Sequence, residues 1–173
     1  TVRDKSELQN VQNVKGDESY TMNENNMRVW DAQGNDLYYQ GDIRKELPVE
    51  LSVRYELDGK PISPQDLAGK SGKVTIQFCY KNNQSQMVTI VGKQENIYVP
   101  FVMLTGLMLD NDHFRNIQVS NGKLLNDGDR TVIAGFALPG LGENLKLDKE
   151  KWTIPDSVEI TADAQDFELM TTV

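Results

Sequence analysis

The sequence predicts an all-β protein: an immunoglobulin-like antiparallel β-sandwich with one or two short helical turns. Three observations predict it. Apolar and polar residues alternate in several runs, turn-forming dipeptides separate those runs, and helical periodicity is scarce. Side chains of a strand point alternately to opposite faces, so an alternating run reads as a strand with one face buried.

Taken in order, Leu8, Val11 and Val14 stand at helical spacing within Ser6 to Val14, a weak helix candidate. Trp30 and Leu37-Tyr38-Tyr39 flank Gln33-Gly34-Asn35, which reads as the turn of a hairpin. Val49, Leu51, Val53, Tyr55 and Leu57 alternate with Glu50, Ser52, Arg54 and Glu56. Asp58-Gly59 follows at once, and a tight hairpin favours that pair because its turn requires positive φ. Ser63 can cap a short helix whose first position suits Pro64 and whose end suits Gly69.

Val74, Ile76, Phe78 and Tyr80 form the next apolar face. Asn83-Gln84-Ser85 then matches a glycosylation triplet and fits an exposed loop. The uncharged stretch from Ile97 to Leu109 holds Pro100 and Gly106 and is too short for a bilayer, which needs about twenty residues. It reads as a buried pair of strands. Ile117 and Val119 precede Asn121-Gly122, a second hairpin signal. Val132, Ala134, Phe136 and Leu138 are expected to face inward. A further helical turn is expected near Gly142 to Leu147. Val158, Ile160, Ala162 and Ala164 alternate with Ser157, Glu159, Thr161 and Asp163 in the last strand.

The length of 173 residues fits one domain with a small additional unit. Residues 1–45 are the more polar part and are expected to form a β-hairpin extension packed on the main domain. Residues 46–173 are expected to form the sandwich. The chain starts at Thr1 and is read as a piece of a longer protein.

A net charge of −8 and a pI near 4.7 disfavour nucleic acid and anionic membrane surfaces as partners, since both reward clustered Lys and Arg. Cys79 is the single cysteine, which precludes an intrachain disulfide. His113 is the single histidine. General acid–base work and zinc binding recruit such residues in numbers this chain does not have. Asp110/Asp112 and Asp127/Asp129 suggest calcium, but Phe114 and Thr131 occupy the third acidic position of each run. Gly69-Lys70-Ser71 resembles the end of a phosphate loop, yet Pro64 replaces the required glycine and a strand follows. The reading is therefore of a non-enzyme, with no catalytic residues, no metal and no cofactor.

The residues suited to binding are aromatic. Trp30, Tyr38 and Tyr39 are the ligand-binding candidates, because a ring face can stack on a sugar. The competing reading is that they fill the core or form cross-strand pairs. Trp152, ahead of Ile154-Pro155, raises the same question.

Several stretches also carry a resemblance. They are 13–18 (Asn-Val-Lys-Gly-Asp-Glu), 29–41 around Trp30 and Tyr39, Lys45-Glu46-Leu47-Pro48-Val49, 67–74 from Leu67 to Val74, Gly128-Asp129-Arg130-Thr131 and Ala137-Leu138-Pro139-Gly140-Leu141. Nearly the whole chain resembles the N-terminal β-rich ectodomain of large Firmicutes cell-surface membrane proteins, similar to the YhgE/Pip type. That resemblance implies an export signal upstream. It also implies a Leu/Gly heptad-repeat region and a membrane anchor downstream. It implies an extracellular, cell-surface location, and supplies no activity or functional residues. The expected function is a non-catalytic spacer or protein-interaction module with an unknown surface protein or glycan as partner. The alternative expectation is a carbohydrate-binding module.

Overall fold

A computed structural model describes residues 1–146, 148 and 151–169. It is all-β with two short helices, and every paired strand is antiparallel. The chain divides into two compact units, Thr1–Glu46 and Leu47–Val173.

The first unit holds β1 (Val2–Asp4), β2 (Gln9–Lys15), β3 (Tyr20–Met22), β4 (Arg28–Trp30) and β5 (Tyr38–Asp42). One sheet has the order β1-β4-β3 and the other pairs β2 with β5. Two expectations are corrected here. Ser6 to Val14 is not a helix. Its spacing of three arises in a strand whose register slips between Gln9 and Gln12, with Asn10 at φ 50°. An extra residue in a strand lengthens the two-residue repeat. Nor do Trp30 and Tyr38-Tyr39 share a hairpin, since β4 and β5 belong to different sheets.

The second unit begins with β6 (Val49–Leu57), β7 (Lys60–Ile62), α1 (Pro64–Leu67) and β8 (Gly72–Asn82). There follow β9 (Ser85–Ile90), β10 (Lys93–Tyr98), β11 (Met103–Asp110), β12 (Phe114–Val119), β13 (Gly122–Asn126), β14 (Arg130–Ala137), α2 (Leu141–Leu145) and β15 (Ser157–Ala164). Asp58 and Gly59, at φ 52° and 75°, make the tight β6–β7 turn. Ser63 Oγ accepts from the Asp66 amide and caps α1, which buries Leu67. The helical turn expected up to Leu147 is α2, and Leu147 itself lies outside the described residues.

A five-stranded sheet, β12-β15-β8-β6-β7, faces a three-stranded sheet, β11-β14-β13. Val74, Ile76 and Phe78 of β8, with Val158, Ile160, Ala162 and Ala164 of β15, are buried against Leu107, Leu109, Ile133 and Ala137 from the other sheet. Burial of these facing apolar surfaces is the main favourable term. The layers stack strand on strand. β13 contacts β12 and β14 contacts β15. Tyr80 of β8 shares a 2.7 Å hydrogen bond with Thr105 of β11. No strand among the described residues completes this series over β6.

Four further readings change. On β14 the inward residues are Thr131, Ile133 and Ala137, while Ala134 and Phe136 face out and Val132 and Leu138 are half-buried. Apolar residues occur on both of its faces, so alternation alone left the register open by one residue. Asn121-Gly122 does not turn a hairpin: β12 and β13 lie in different sheets. Asn121 donates to the carbonyls of Phe136 and Ser157, one in each sheet. A Cβ at Gly122 would lie 2.1 Å from the Ala134 carbonyl oxygen, so only glycine fits that crossing. Ile97 to Leu109 is not a buried pair, because Ile97 belongs to the β9–β10 hairpin and Val102 and Leu104 are exposed. On β6, finally, Leu51 and Val53 point to the core side but remain 54% and 37% exposed.

The two environments predict different costs. Ile133→Ala removes a fully buried side chain and should destabilise the protein by about 2–5 kcal/mol, whereas Leu51→Ala should change stability by no more than about 0.5 kcal/mol. Urea denaturation midpoints of the two variants check this, and equal losses would contradict the uncovered position of β6.

Candidate functional site

Of the aromatic residues singled out in the first unit, Trp30 and Tyr39 stack internally together with Tyr20, and Tyr38 does not. Trp30 is 1% exposed. Tyr20 packs against it, tilted by 51°, at 4.8 Å between centroids, and Tyr39 stacks on it at 5.1 Å. Arg28 lies over Tyr20 and donates to the Ser6 and Leu8 carbonyls. Trp30 is therefore not a surface platform. Tyr38 and Tyr39 point to opposite sides, as successive strand residues must. Tyr38 is 46% exposed with the Lys15 ammonium 4.7 Å from its ring centre.

The Tyr39 hydroxyl donates to Asp4 Oδ2 at 2.8 Å, and this bond raises the phenol above its ordinary range, with burial and the Asp4 charge adding to it. The fold favours the neutral phenol. That contribution is complete below the unfolded phenol's range and is lost as pH rises through the raised value.

The polar candidates in the second unit serve the backbone. His113 Nδ1 bonds the Gln165 carbonyl at 2.9 Å, which raises its pKa despite some opposing desolvation. Cys79 is half-buried. It pairs across the sheet with Ser157 at one end of β15, whereas Phe114, next to His113, pairs with Ala164 at the other. Seven strand steps put these ends roughly 23 Å apart, so the two do not form a catalytic pair. Asp110 Oδ1 accepts from the Asp112 amide and Asp127 Oδ1 from the Arg130 amide, both turn-forming bonds. Among the described residues no group of three His, Cys, Asp or Glu side chains converges as a metal site.

Two concave features of the second unit are better placed to bind. The first is a cleft of about 480 Å³ on the outer side of the five-stranded sheet. Trp152, 68% exposed, stands at it with Gln77, Glu143, Asp156 and Glu159. Gln77 and Glu159 are cross-strand neighbours on β8 and β15. Their alternation as polar residues was readable, but their meeting with Trp152 and the α2 residue Glu143 depends on chain segments distant in sequence. The second is an apolar groove of about 310 Å³ on the inner side. Leu51, Val53 and Tyr55 of β6 form its floor with Phe78, beside Leu104 to Leu107 of β11. Among the described residues β11 is an edge strand, with β14 as its one paired neighbour.

Comparison with protein-family models, with curated proteins and with solved structures found no match to this chain.

Asp4→Asn should bring Tyr39 back toward the ordinary phenol range, because the first cause of its shift is the bond to that carboxylate. A pH titration of the Tyr39 ring signals by nuclear magnetic resonance checks the direction; an unchanged titration would assign the shift to burial instead.

Proposed function

We propose that this chain is a non-catalytic extracellular module of a bacterial membrane-anchored surface protein, serving as a spacer and as a docking site for an extended protein segment. The location rests on the sequence resemblance described above. The docking role rests on one observation, the opening over β6. β11 stands over β8, so among the described residues β6 extends past the last strand of the smaller sheet, with Leu51 and Val53 partly exposed beside Leu169.

An unpaired edge offers a row of backbone donors and acceptors, and an added strand uses them for affinity and its alternate side chains for specificity. Strands lie about 4.8 Å apart, so one strand beside β11 falls over β6. The overhang of β6 and β7 blocks a second copy from pairing edge to edge, since its own overhang would collide with them. The occupant that fits is a single extended segment from another protein. It would carry apolar residues at alternate positions, to cover Leu51 and Val53. Such a strand would give this face the cover that its alternation pattern calls for.

A peptide of about eight residues with alternating valine and threonine is the probe, read by hydrogen exchange of the β11 amides. In the protein alone the amides facing away from β14 should exchange fast. The peptide should protect them, and Val53→Asp should abolish that protection. Slow exchange before peptide is added, or no protection after it, would defeat the docking role.

A further inference from the structure

The geometry points to a second binding site of different chemistry: the Trp152 cleft takes a saccharide, one pyranose ring lying on the indole. A large aromatic side chain this exposed beside a concavity leaves apolar surface in water, and such surface marks binding sites. The segment bearing it turns locally before the indole and is tied to both sheets just beyond it. The Trp152 amide donates to the Asp148 carbonyl at 2.9 Å, and the Pro155 and Asp156 carbonyls accept from the Leu138 and Tyr80 amides at 2.6 and 3.1 Å. The backbone just beyond the indole is thus fixed before a ligand arrives, which lowers part of the ordering cost of binding.

The polar side chains at the cleft select the ligand. Glu143, Asp156 and Glu159 are acceptors for hydroxyl or ammonium groups, and the Gln77 amide both donates and accepts. The flat C–H face of a pyranose covers the ring, while its equatorial substituents reach these groups. The described lining contains three carboxylates and neither Lys nor Arg, so it repels uronates and other anionic glycans and favours neutral or amine-bearing sugars. An ammonium gains further from the indole face. The volume is within the usual span of about 300–1,000 Å³ for small-ligand sites. Gln77 and Glu159 project from the outer face of the sheet whose inner face carries Leu51 and Val53, so this site stands or falls independently of the docking groove.

The whole chain, labelled with nitrogen-15, is titrated separately with a glucosamine tetrasaccharide, cellotetraose and tetragalacturonate. The Trp152 indole N–H signal should shift saturably with the first two, more tightly with glucosamine, and stay still with the galacturonate. The buried Trp30 indole serves as an internal reference and should not move. Trp152→Ala should weaken binding at least about tenfold without lowering the thermal midpoint, because the side chain is exposed. Glu159→Gln combined with Asp156→Asn should remove the preference for the amine while neutral sugar still binds. No shift with any saccharide, equal affinity in Trp152→Ala, or tightest binding of the galacturonate would overturn the inference.

Discussion

The second unit is organised by one close approach between its sheets. Gly135 of β14 faces Val158 of β15, and a Cβ at Gly135 would lie 2.5 Å from Val158 Cγ1. Only a residue without a side chain lets these strands come together with valine between them. Val158 and Ile160 are then almost wholly excluded from water, with Ile133 and Ala137 beside them. Close packing of this kind recovers dispersion contacts as well as removing apolar area from water.

That contact also sets the lateral alignment. With β14 over β15, the neighbours fall into line, β13 over β12 and β11 over β8. Five strands then face three. α1 and the residues near Phe167 supply cover at the far end of β6, where Leu67 and Phe167 join the buried cluster and Leu57 and Ile62 pack against it. Among the described residues no strand covers the middle of β6, and Leu169 lines one side of its groove. The exposed leucine and valine of β6 are thus a consequence of the layer count and not of a polar strand face. The outer side of the same sheet carries Gln77 and Glu159, and the returning segment before β15 adds Trp152 to them.

The first unit shows a different solution to a small core. Its strands are short, and a stack of Tyr20, Trp30 and Tyr39 with Arg28 occupies its interior. The indole Nε1 and the guanidinium Nε are buried without hydrogen-bond partners. Such a loss carries a cost of about 1–3 kcal/mol per group. The sequence pointed to Trp30, Tyr38 and Tyr39 and not to Tyr20, and it gave no means to separate a core stack from an exposed platform, because both use the same side chains.

The sequence by itself determined the strands β6, β8, β14 and β15, the turn at Asp58-Gly59, the capped turn at Ser63 and the buried faces of β8 and β15, since each depends on local backbone preference or on strict alternation within one strand. Tertiary structure alone decided the rest. Alternation names two faces without saying which is covered, so the inward face of β14 and the bare floor of β6 waited on sheet pairing. Asn121-Gly122 has the local chemistry of a hairpin, yet the flanking strands go to different sheets, β12 beside β15 and β13 beside β14. The cleft at Trp152 likewise joins residues from β8, α2 and β15 that are far apart along the chain, and no local pattern encodes a meeting of that kind.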